Sequence, residues 1–216
     1  MPSHRPGPPG GKREQNRRRR VQELTSAALE LFLQDGIAGV TVDRITTAAG
    51  TSKGNFYRYF GDKEELVATL FAPLREGFEA ALDRSEEVLS AARDHDELVA
   101  GYRLLGVSLG ALLFAHSGVV RLYLQEARAP AVGARRPVRV LSDLVARRSI
   151  TLTDVARENG LLRTVDPRVS ALAVVGAVER MLWASLTGEH TFDPLQTAEA
   201  LIAIVMDGLR PTTPAM

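Results

Sequence analysis

The chain has 216 residues, 45% apolar and 25% charged, with a net charge of +1, enough for one large or two small domains with a true core. It contains no cysteine, which excludes a disulfide framework, a thiolate zinc site and a cysteine nucleophile together, and its four histidines (His4, His95, His116, His190) are scattered without metal-ligand spacing. No uninterrupted apolar run reaches the ~18–20 residues of a membrane span, and the Pro/Gly/Arg-rich start is not a secretory signal, so a cytoplasmic protein without membrane contact is expected.

Charge is unevenly placed. The first 60 residues hold ten Lys/Arg against five Asp/Glu, and the remainder seventeen against twenty-one. A basic head on an acidic body suggests that the head meets a polyanion. Arginine outnumbers lysine 24 to 3 along the whole chain, which reflects base composition rather than function.

In chain order, residues 1–16 are Pro, Gly and charge and predict a disordered basic arm. Val21, Leu24, Ala27, Ala28, Leu31 and Phe32 recur at helical spacing, predicting a first helix over about 17–34, ended by Gly36 and Gly39. Arg17, Arg18, Arg19 and Arg20 at its start oppose the helix dipole, so phosphate contact is a better reason for them than helix stability; a solvated tail is the plainer alternative. Thr41 is a plausible N-cap for a short second helix with Val42, Ile45, Ala48 and Ala49 inward. Gly50 breaks it, and Thr51 or Ser52 caps a third helix carrying Phe56, Tyr57, Tyr59 and Phe60. Asp62 and Glu65 read as a capping pair for a fourth. The rest reads as helix near 63–92, 96–115, 118–128, 137–159, 167–187 and 194–209, nine helices in all, with Pro73 kinking or ending its own.

The informative block is 40–66, VTVDRITTAAGTSKGNFYRYFGDKEEL. Two short helices flank a Gly-centred turn, the layout of a helix-turn-helix. Ala48, Ala49 and Gly50 allow close crossing, and Phe56 and Phe60 can pin the second helix to the core. Ser52, Lys53, Asn55, Tyr57 and Tyr59 are left nearer the outside, a mixture of donors and acceptors suited to base edges and phosphates.

This block resembles the DNA-binding domain of the tetracycline-repressor (TetR) family. The family pattern falls on Thr41, Val42, Ile45, Ala49, Gly50, Ser52, Gly54, Tyr57, Tyr59, Phe60, Lys63, Glu64 and Leu66; Thr46 and Thr51 depart from it, each adding a hydroxyl to a normally apolar spot. The resemblance implies an all-α, nine-helix fold: a three-helix head over 17–62 that reads DNA, a helical ligand-binding and dimerisation domain over 63–211, and a tail over 212–216. It implies a function too, that of a dimeric repressor on a palindromic double-stranded operator, released by a small, mostly apolar effector. An activator or ligand-independent regulator of the same fold is the alternative. No enzymatic activity and no cofactor are expected, since no Gly-rich phosphate loop or G-x-S-x-G nucleophile stands in the sequence.

By the resemblance, Thr41 caps its helix and bonds a phosphate, and Arg44 reaches a phosphate or a base. Thr51, Ser52, Lys53, Gly54 and Asn55 form the leading end of the recognition helix. Tyr57, Tyr59 and Lys63 hold phosphates, with Arg17 and Arg18 beside them. Candidate effector contacts are Phe78, Tyr102, Phe114, His116, Tyr123, Glu179 and Trp183; core packing is the plainer role for the aromatics, a satisfied core pair for Glu179 and Trp183, and capping for the histidine. The 167–187 helix is apolar nearly all round and must be covered on more than one side, by pocket and by partner subunit. With the stripe on the last helix it gives the expected homodimer interface: Val174, Val178, Met181, Ala198, Leu201, Ile202, Val205 and Met206.

Overall fold

A computed structural model describes residues 11–162 and 165–209. Among them stand nine α-helices and one 3-10 turn. Helix α1 is Lys12–Gly39, α2 Val42–Ala48, α3 Lys53–Phe56, α4 Lys63–Ala91, α5 His95–Ala115 and α6 Ser117–Glu126. The 3-10 turn Gly133–Arg135 leads into α7, Arg136–Glu158, followed by α8, Pro167–Leu186, and α9, Pro194–Leu209.

The expected caps form. Thr41 Oγ1 accepts from Arg44 N (3.3 Å), Ser52 Oγ from Asn55 N (3.2 Å) and Asp62 Oδ1 from Glu65 N (2.8 Å). Each satisfies an N–H that a helix start leaves without a partner. Gly50, at φ 60°, turns the chain between α2 and α3.

Three expectations are corrected. Residues 12–16, assigned to a disordered arm, are helical, because KREQN is built of helix formers and Glu14 pairs with Arg18 one turn on; residues 1–10 of that arm, like the 212–216 tail, lie outside the described residues. Gly36 does not end α1 but breaks its path at φ 71°, after which helix resumes to Gly39. The third helix stops at Phe56, and Tyr57 and Tyr59 stand in the turn that follows.

Buried apolar side chains gather in two clusters strung along α4, which runs through Pro73 unbroken. The first joins Leu24, Ala28 and Phe32 of α1, Ile45 of α2 and Phe56 to Leu66, Phe71 and Leu74 of α4, Val120 and Leu122 of α6, and Leu141 of α7. The second joins Leu82 and Leu89 of α4 to Leu98 of α5, Leu152 and Ala156 of α7 and Met206 of α9. Helix α4 packs on α5 and α7; α8 lies on α7 and α6, and α9 on α5.

Helices α5 and α8 are long and apolar enough to cross a membrane by length and composition, although neither is an uninterrupted apolar run. A few charges, Arg103 in α5 and Glu179 and Arg180 in α8, interrupt the runs without lowering the mean below that of a span. Here both pack against other helices, with one face on a half-open cavity.

Candidate nucleic-acid interface and ligand cavity

The outer surface of α2 and α3 carries the predicted reading residues. Ser52, Lys53 and Gly54 are exposed, and Tyr57 is 51% exposed, its ring edge-on to the buried Phe56 at 5.3 Å. Phe56 and Phe60, both buried, anchor the turn as their spacing predicts. Lys53 Nζ sits 3.0 Å from Asp43 Oδ1; the hydrogen bond and charge of Asp43 push its pKa up, so the amine stays cationic. Both side chains are more than half exposed, and such a pair is weak enough for a phosphate to compete. Arg44 pairs with Asp35 (2.5 Å) in the same exposed setting. Asn55 is already engaged: its Nδ2 donates to Thr51 Oγ1 at 2.7 Å, so the hydroxyl that departs from the family pattern orients the amide. The other departing hydroxyl, Thr46, is buried and donates to Asp43 O at 3.0 Å, leaving no unpaired polar group.

Arg17, Arg18 and the half-buried Tyr59 line one shallow surface hollow, so the structure brings the N-terminal basic residues beside the head. The helix-dipole reason for them is corrected. With α1 starting at Lys12 they lie beyond the first turn, where the dipole no longer acts. Arg18, Arg19 and Arg20 also meet Glu14 or Glu23 at helical spacing.

Lys63 is not placed for phosphate. Its Nζ points inward and donates to Ile37 O (2.8 Å) and Val40 O (2.7 Å), the carbonyls where α1 ends. Desolvation, with the nearby Arg135 charge, lowers its pKa. A lysine at the start of α4 thus caps the end of α1.

The same corner holds a residue that motif spacing missed. Glu126 of α6 is 4% exposed. Its Oε1 accepts from Ile37 N at 2.9 Å, and its Oε2 lies 2.6 Å from Arg135 Nε. Gly36 makes the approach feasible: a Cβ there would stand 2.9 Å from Glu126 Oε1, and φ is 71°. The available signal was register, since Glu126 follows Val119, Leu122 and Tyr123 on the buried stripe of α6.

Behind this corner the body forms a half-open cavity of about 230 Å³ with almost wholly apolar walls. Phe78, Tyr102, Tyr123 and Glu179 line it, as four of the seven predicted contacts. The Tyr123 hydroxyl donates to Glu179 Oε1 (2.9 Å), and Arg128 donates to Glu179 Oε2 (3.0 Å). Burial pushes the Tyr123 phenol above its ordinary pKa. The other three predicted contacts are corrected. On α5 the cavity takes Tyr102, Leu105, Leu109 and Leu113, one helical face, and Phe114 falls one position past it, 83% exposed. On α8 the wall ends with Glu179 and Leu182, and Trp183 turns away toward Glu189. His116 caps the junction of α5 and α6.

The predicted interface residues are placed differently as well. Val174, Val178, Leu201, Ile202, Val205 and Met206 face the cavity, and Met206 is buried in the second cluster. Met181 is half-buried off the cavity, as is Ala198. Among the described residues, the large apolar side chains that α8 and α9 leave outside are Val169 (62%), Leu172 (48%) and Ile204 (70%). On helices apolar nearly all round, composition does not say which side meets the cavity.

Residues 24–70 match the profile of the bacterial regulatory proteins of the tetR family. The regulator TcmR of Streptomyces glaucescens, an HTH-type transcriptional regulator, is 40% identical over 83 residues, 38% of this chain and 37% of TcmR. The chain thus spans little more than a third of that relative, and a quarter of the next, the repressor AcnR of Corynebacterium efficiens. The fold extends further. The fatty acid degradation regulator FadR of Bacillus halodurans superposes with a TM-score of 0.67 at 18% identity, over 96% of this chain and 99% of that one. FadR of Bacillus subtilis, solved with stearoyl-CoA, gives 0.65 at 17% identity over 88% and 99%. The head over residues 24–70 thus matches that of the tetR family of bacterial regulatory proteins, and the body of helices behind it shares the fold of the FadR structures.

Proposed function

We propose that the chain is a dimeric, ligand-responsive transcriptional repressor that binds a palindromic operator and is released by a small, mostly apolar effector. The observation that carries this reading is the double attachment of α6. Through Tyr123 it holds the cavity wall at Glu179, and one turn later, through Glu126, it holds the end of α1. A ligand that re-seats Tyr123 shifts the support under the reading head. Binding of effector and DNA then oppose each other reciprocally, typically by ~1–3 kcal/mol.

The division of labour follows. Residues up to 62 form the head, with Arg17, Arg18, Thr41, Arg44 and the exposed positions of 51–59 meeting DNA; residues from 63 onward form the ligand-binding and dimerisation domain. Val169, Leu172 and Ile204 give α8 and α9 apolar surface for a second copy. A two-fold dimer suits half-sites about one turn, ~34–36 Å, apart.

Selection of bound DNA from a random pool, with the wild type, Lys53→Ala and Tyr57→Phe, tests the proposal. A palindrome enriched by the wild type and weakened in both variants is expected. No enrichment at moderate salt contradicts it.

A further inference from the structure

The cavity lies between the two apolar clusters, and each cluster contributes one tyrosine to its wall. Tyr123 belongs to the first, where its hydroxyl is spent on Glu179. Tyr102 packs against the second, where its hydroxyl has no hydrogen-bond partner among the described residues. Burial pushes that phenol up to about 12, so it is a neutral donor at physiological pH. The hydroxyls of Thr153 and Ser170 are spent on their own helices, on Ser149 O and Pro167 O, while Ser149 adds a second hydroxyl to the wall beside that of Tyr102.

Among the described residues no lysine, arginine or histidine lines the cavity, and Glu179 is the one carboxylate. Arg128, which neutralises Glu179, is 81% exposed and approaches from outside. An anionic headgroup in this space meets a carboxylate and no cation, a costly arrangement in an apolar surround. A cationic head gives up its hydration for a carboxylate that already has a guanidinium. Each Glu179 oxygen has one donor, leaving lone-pair capacity for an uncharged O–H or N–H.

We infer that the effector is an uncharged, elongated, largely apolar molecule with a hydrogen-bond donor at the end facing Glu179 and an acceptor at the end facing Tyr102. This rests on the ligand-responsive reading above and gives that ligand its chemistry. It separates the chain from the Bacillus subtilis FadR structure, whose stearoyl-CoA carries phosphates for which the described lining residues offer no cation.

Displacement of bound Nile red by 1-decanol, decanoate and decylammonium tests the inference with three ten-carbon chains differing at the head. Decanol is expected to displace the dye at concentrations roughly tenfold below decanoate, and Glu179→Gln to narrow that gap by improving decanoate. Decanoate binding best overturns the inference; so does decylammonium binding best and losing its advantage in Glu179→Gln, which assigns a cation. For the far end, 1,10-decanediol should lose about fivefold in Tyr102→Phe while decanol is unchanged; equal losses, or none, overturn the role of Tyr102. Dye that fails to bind, or that stays bound when Leu105→Trp fills the cavity, removes the ligand-cavity reading itself and the inference with it.

Discussion

The carboxylate of Glu126 accepts a hydrogen bond from the backbone N–H of Ile37 at 2.9 Å, across 89 positions of sequence. The pair joins the end of α6 to the point where Gly36 breaks α1. Lys63 secures the same segment from its other polar side by taking the carbonyls of Ile37 and Val40. One short backbone stretch therefore has its donor held by the body and its acceptors held by the start of α4.

Truncating Glu126 leaves Arg135 and the Ile37 N–H without their buried partner. Loss of one member of a buried pair costs ~3–5 kcal/mol, so Glu126→Ala should lower the unfolding free energy in urea by about that much. Glu126→Gln, which keeps the acceptor for Ile37 but removes the charge beside Arg135, should cost less. Equal stability of Glu126→Ala and wild type would show that the pair does not hold the corner.

Lys63→Met separates a cap from a phosphate contact. A lysine on phosphate contributes to counterion release, and its removal flattens the plot of log affinity against log salt by ~0.9. A lysine spent on carbonyls contributes stability instead, ~1–3 kcal/mol when the buried acceptors lose their partner. The expected outcome is a lower urea midpoint with an unchanged salt slope. Lys53→Ala should do the reverse, flattening the slope by ~0.9 with stability within ~0.5 kcal/mol.

Tyr102 makes alkaline stability a readout of the cavity. Its folded pKa, raised to about 12 by burial, exceeds the ordinary value of 10, so the unfolded chain loses this proton first. Between pH 10 and 12 the folded state binds more protons, and stability falls as pH rises. A two-unit shift corresponds to roughly 2–3 kcal/mol across that window. Urea titrations from pH 9 to 12 should show a fall that is shallower by about this amount in Tyr102→Phe. Parallel curves for the two proteins would place Tyr102 in contact with solvent.

Most of the head was readable from sequence because its signals are local. Thr41, Ser52 and Asp62 announce caps through residue type and spacing, and the Phe56–Phe60 pair announces its buried side. Helix count in the body was readable from periodicity and breakers. What failed depended on partners far along the chain. Lys63 looks like a free cation until the end of α1 is brought beneath it, and Glu126 looks like a surface acid until α6 is turned against Ile37. Phe114 and Trp183 were misplaced by a single helical position, and six of the eight residues expected at the interface on α8 and α9 line the cavity, because an all-apolar helix carries no mark of its inner side. Helix α1 starts earlier than its apolar spacing suggests because the helix formers of 12–16 carry no apolar residue and follow a Pro/Gly-rich stretch.

The coupling of cavity to reading head is tested with Leu124→Trp, a bulky addition on the cavity side of α6 between Tyr123 and Glu126. Fluorescence anisotropy on the selected palindrome should show operator affinity reduced ~5–150-fold in a variant that still melts cooperatively. A folded variant that binds the operator as tightly as the wild type would contradict coupling through α6.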